Sequence, residues 1–75
     1  MKVEVKIEHN YLQVYLEDVL HLSIYSEYLI GVQGWIESED VYCIDYYTKY
    51  KTITSKYISN GDIWKEILNQ LKEYT

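Results

Sequence analysis

The sequence predicts an α+β domain: an antiparallel, strongly bent β-meander of five to six strands over about residues 2–58, with one amphipathic α-helix over about 60–74 packed on its inner face. Three observations carry this expectation. Apolar and polar residues alternate with period two through most of the first 58 positions, the pattern of half-buried strands. Polar turn residues interrupt the alternation at short intervals, which favours antiparallel hairpins over crossovers. Beyond Asn60 the period changes to that of a helix.

From Lys2 to His9, Val3, Val5 and Ile7 alternate with Lys2, Glu4, Lys6 and Glu8. A turn at His9-Asn10 leads to a second strand with Leu12, Val14 and Leu16 on one face and Tyr11, Gln13, Tyr15 and Glu17 on the other. A turn at Glu17-Asp18 leads to a third, with Leu20, Leu22 and Ile24 opposite His21, Ser23 and Tyr25. Residues 28–37 and 41–47 read as a hairpin across Ser38-Glu39-Asp40, with Asp40 in a left-handed conformation and Glu37 opposite Val41. Residues 52–58 make the last strand. In the helix, Ile63, Trp64, Ile67, Leu68 and Leu71 form the apolar stripe, and Lys65, Glu66, Asn69, Gln70 and Lys72 face away. Ser59 or Asn60 caps its first turn, Asp62 and Glu66 sit near the positive end of its dipole, and Lys72 near the negative end.

The hairpin register places Trp35 across from Cys43, Gly34 from Ile44 and Val32 from Tyr46, and the next connection pairs Tyr46 with Ile53 and Tyr47 with Thr52. Ile30, Val32, Ile36, Ile44, Ile53 and Tyr57 then share the face that meets the helix, with Trp64 filling the gap left by Gly34. The outer face collects Tyr11, Tyr15, Tyr25, Trp35 and Tyr47 among Gln13, His21, Gln33, Asp45, Thr52, Thr54 and Lys56. Tyrosine and tryptophan present large, stiff area with a polar handle, which suits a protein interface, although tyrosine is also an ordinary resident of solvated strands. Six strands at about 4.8 Å make a sheet wider than one helix about 10 Å across can cover. The remaining surface calls for curvature or a partner.

Seventy-five residues hold a single small domain, and the net charge of −5 with no arginine disfavours direct binding to nucleic acid. The charge is uneven: residues 1–47 carry two lysines against nine acids, residues 48–75 five lysines against three. No leader or apolar span is read, so a cytoplasmic location without membrane contact is expected. Absent Arg, Ala and Pro suggest a low-GC genome, that of a bacterium or a phage.

Cys43, His9 and His21 are the conventional catalytic candidates, and their spacing fits no nucleophile, metal or phosphate-binding motif. The expectation is therefore a protein that is no enzyme and carries no cofactor or metal. Its binding residues are expected to be Tyr15, Tyr25, Trp35, Glu37, Glu39, Asp40, Asp45 and Tyr47, the aromatic face together with an acidic hairpin tip. Such a surface suits a partner protein with a basic face, as in an inhibitor of a nucleic-acid-binding or defence protein. The alternative is an oligomeric binder of a nucleotide-like ligand, using Tyr46, Tyr50, Lys49 and Lys51. A chain this short, with no disulfide or zinc site available, is also expected to form a homodimer or higher oligomer through Tyr15, Tyr25 or Trp35.

Overall fold

The computed structural model describes residues 2–58 and 60–74, without the side chains of residues 57 and 58. The predicted elements are present: β1 (Val3–Glu8), β2 (Tyr11–Leu16), β3 (Val19–Tyr25), β4 (Leu29–Ser38), β5 (Val41–Thr48), β6 (Thr52–Ile58) and α1 (Gly61–Leu71). The expected single meander is instead two antiparallel three-stranded sheets, β1-β2-β3 and β4-β5-β6. A short 3-10 turn, Ser26–Tyr28, breaks the ladder between them. That corner is held on both sides. Ser26 donates its backbone N–H and its hydroxyl to Asn10 O (2.8 and 2.9 Å), and Lys49 N donates to Tyr28 O (2.9 Å).

The first two turns are two-residue loops with both residues at positive φ, His9 and Asn10 at 54° and 68°, Glu17 and Asp18 at 50° and 64°. This is the conformation whose twist matches the flanking strands, and it fixes the register Val5 to Val14 and Val14 to Leu22. Asp40, in contrast, is not left-handed. Ser38 rather than Glu37 faces Val41, because the β4-β5 register shifts between Ile36 and Ser38 and leaves Glu37 as the extra residue.

Two further irregularities redistribute side chains. In β3 the register steps over His21 and puts Leu20 opposite Tyr15, so Leu20 lies exposed on the outer face and not with Leu22 and Ile24. In β4 the step from Leu29 to Gly31 skips Ile30, which is 69% exposed, while Leu29 takes the inner position against the core. Ile36 keeps its predicted face, yet it is 58% exposed beside the first turn of α1. Between these shifts the predicted pairs hold: Trp35 with Cys43, Gly34 with Ile44, Val32 with Tyr46, Tyr46 with Ile53 and Tyr47 with Thr52. The predicted inner position of the Tyr57 side chain lies outside the described residues, as does Ser59.

The core joins both sheets to the helix. Val5, Leu12, Val14 and Ile24 of the first sheet meet Ile44 and Tyr46 of the second and Ile63, Ile67 and Leu71 of α1. Asn60 caps the helix by accepting from Ile63 N at 3.1 Å, with Asp62 in the first turn. Gly34 lets α1 approach β4: a Cβ there would overlap Leu68 and stand 3.0 Å from Trp64, so Leu68 shares the filling role predicted for Trp64. Trp64 also donates its indole N–H to Cys43 O at 2.7 Å.

Gln70 departs from its predicted solvent position. Its side-chain amide accepts from Val5 N (2.8 Å) and donates to Val3 O (2.9 Å), bonding the free edge of β1 as a neighbouring strand would. Tyr74 adds a hydroxyl bond to Val5 O at 3.3 Å. One flank of α1 is thereby attached to β1, and an edge open to strand addition is closed. No described helix is long and apolar enough to cross a membrane.

Candidate functional site

The corner between the sheets gathers tyrosines from four separate positions. Tyr11 and Tyr25 face each other across β2 and β3. Their rings meet edge to face at 5.4 Å and 72°. Tyr28, in the 3-10 turn, contacts Tyr25 at 4.8 Å and 64°, and Tyr50, in the β5-β6 loop, contacts Tyr28 at 5.0 Å and 88°. The result is a continuous row that starts on one sheet, crosses the corner and ends beside the other. Edge-to-face pairs at these distances contribute about 0.5–1.5 kcal/mol each beyond their area burial.

The row is ordered from below. Thr48 Oγ1 donates to Lys51 O (2.7 Å) and accepts from Lys51 N (3.0 Å) and Tyr50 N (3.2 Å), which fixes the loop carrying Tyr50. Lys49 Nζ stands 5.9 Å from the centre of the Tyr28 ring. Tyr50, by charge repulsion and hydrogen bonding, is the main cause of a Tyr28 pKa above the ordinary phenol value. The row nevertheless remains open to solvent, with Tyr11 44%, Tyr28 37% and Tyr50 74% exposed.

The eight residues singled out from the sequence do not form one surface. Tyr25 belongs to the row. Tyr15 lies farther along β2, its hydroxyl donating to Gln13 Oε1 (3.2 Å) and its ring 4.9 Å from Lys6 Nζ. Tyr47 donates to Gln33 Oε1 at 3.0 Å on the outer face of the second sheet. Trp35 is half-buried beside the fully buried Cys43, and its indole N–H is hidden without an acceptor among the described residues. The acidic group is partly engaged as well. Glu37 pairs with Lys56 at 3.3 Å, and Asp45 accepts from Thr54 Oγ1 at 2.7 Å. Glu39 and Asp40 stay exposed at the tip, separated from the row by the length of β4, roughly 30 Å for ten residues.

Tyr28 was not legible as part of a surface, because it reads as the first residue of a strand. Tyr50 is exposed, but Tyr46 is fully buried in the core and unavailable to a ligand alongside Lys49 and Lys51. Of the conventional catalytic side chains, His9 is in the β1-β2 turn and His21 at the β3 irregularity. Burial lowers the His21 pKa. Cys43 is enclosed in the middle of β5, and burial is the main cause raising its thiol above the ordinary value, which disfavours the thiolate.

The fold and the row together define a small α+β domain of two three-stranded sheets and a terminal helix, with an exposed tyrosine surface at its corner. No protein-family model, curated protein or solved structure matches the chain.

Proposed function

We propose that this protein is a non-enzymatic interaction module whose corner row, Tyr11, Tyr25, Tyr28 and Tyr50, binds another protein. The row is the observation that carries the reading: four contacting aromatic rings on a hydrogen-bonded corner, three of them substantially exposed. Tyrosine concentrates at interface centres because two side-chain torsions order a large contact area, and its hydroxyl hydrogen-bonds where the ring is buried. The acid-rich chain, with Glu39 and Asp40 projecting at the tip, suits a partner with a basic surface, which long-range attraction brings in faster. Without that partner the row is available to a second copy, and a homodimer at micromolar concentration is part of the proposal.

Quantitative affinity capture tests it. The wild type is compared with a Tyr28→Ser/Tyr50→Ser variant and with a Tyr47→Phe control. Loss of the captured partner, by at least tenfold, from the double variant alone supports the row; equal capture by all three removes it.

A further inference from the structure

The flank of α1 away from β1 lies over β4 and leaves a groove beside it. On the first flank, β1 lies along the helix and its backbone edge is bonded by Gln70 and Tyr74. On the other, a groove of about 460 Å3 runs between α1 and β4, floored by Val32, Gly34 and Leu68 and walled by Lys65, Asn69 and Lys72. β4 is an edge strand paired only with β5, and among the described residues no backbone hydrogen bond joins it to β3. The edge of β4 away from β5 therefore carries no strand among the described residues, and Val32, Gln33 and Gly34 of that strand line the groove. Lys65 and Lys72 are exposed, and neither has a carboxylate within 4 Å among the described residues.

We infer that this groove takes an extended, acidic segment of another protein, which adds to β4 as a further strand and sets carboxylates against Lys65 and Lys72. Three features combine in that occupant. The unpaired edge supplies main-chain hydrogen bonds, the usual source of affinity in strand addition. The apolar floor takes one β-branched or aliphatic side chain over Gly34 and Leu68. The two lysines form a local basic wall with no carboxylate within 4 Å among the described residues, and this local charge favours carboxylates over ammonium groups at the groove even though the chain as a whole is acidic. Seven helical residues separate them, about 10.5 Å along the axis. Carboxylates two or four residues apart in a strand lie on one side, about 7 or 13 Å apart, both within reach of flexible lysine side chains. This site uses no residue of the tyrosine row and stands independently of it.

Selection from a displayed library of random heptapeptides is the test. The expected binders carry two acidic residues two or four positions apart around an aliphatic one. They lose at least tenfold in affinity on Lys65→Glu/Lys72→Glu, and a similar amount when a central peptide residue becomes proline. They also shift the amide resonances of Val32, Gln33 and Gly34, and they bind Tyr28→Ser/Tyr50→Ser unchanged. Because both lysines are exposed, circular dichroism should show the charge-reversed protein folded; should it not, Lys65→Gln/Lys72→Gln replaces it in the same comparison. No enrichment, binders without acidic residues, or binding that survives charge substitution would each overturn the inference, as would a dimer paired through β4 itself.

Discussion

Replacing Gly34 with alanine puts a methyl group where α1 already sits. An ideal Cβ overlaps the Leu68 Cδ1 methyl and stands 3.0 Å from Trp64 Cζ2 and 3.2 Å from Leu68 Cδ2. The indole cannot retreat freely, since its N–H is tied to Cys43 O at 2.7 Å, so Leu68 has to turn toward the groove. Overpacking of this kind costs roughly 1–3 kcal/mol. Alanine in a strand recovers about 0.5–1 kcal/mol of the entropy that glycine loses on folding. The two ranges together give a net loss of up to about 2.5 kcal/mol, centred near 1 kcal/mol, which is roughly 4–8 °C in Tm for a domain of this size. Urea unfolding followed by circular dichroism measures it. A double-mutant cycle locates it: in a Leu68→Ala background the added methyl has room, and the cost of Gly34→Ala should fall below about 0.5 kcal/mol. A Gly34→Ala protein more stable than the wild type, or a cost that Leu68→Ala leaves unchanged, refutes the seating of α1 on Gly34.

Gln70→Ala removes both amide bonds to the β1 edge and should cost about 1–2 kcal/mol in the same urea assay, with faster hydrogen exchange at Val5. The double substitution His9→Asn with Asn10→Gly gives the first turn the pair best suited to positive φ, and should raise the urea midpoint by roughly 0.5–1 kcal/mol of stability. Cys43 binds its proton more tightly folded than unfolded, so its contribution is intact below the ordinary thiol pKa of 9.0 and is lost as pH rises through that value and beyond. The stability profile from pH 8 to 10 should therefore fall less steeply in Cys43→Ala than in the wild type. Light scattering at about 100 μM should give a mass near twice 9.1 kDa, returning to 9.1 kDa in Tyr28→Ser/Tyr50→Ser.

Local information was enough for much of this fold. The turns at His9-Asn10 and Glu17-Asp18, the pairing of Trp35 with Cys43 and of Tyr46 with Ile53, and the Asn60 cap all follow from alternation, loop length and capping chemistry within short stretches of chain. The irregularities at His21, Ile30 and Glu37 do not. Each shifts alternation by one residue, and the position of such a bulge is set by pairing and packing that no short stretch encodes. Gln70 reads as solvent-facing because a polar side chain on the rim of an apolar stripe normally is; its bonds to β1 depend on contacts across more than sixty residues. The aromatic surface was half legible. Tyr11 and Tyr25 follow from strand periodicity, whereas Tyr28 and Tyr50 join them only because the corner folds two distant loops together.

The most direct measurement of the central claim is photo-crosslinking in the cells that make the protein, with a photoreactive phenylalanine analogue at Tyr50 and, as a control, at the exposed Glu73. The account predicts a discrete adduct to a second polypeptide from Tyr50, absent from Glu73 and reduced when Tyr28 is also replaced by serine. No adduct from Tyr50, or an equal yield from Glu73, would contradict a protein-binding tyrosine row.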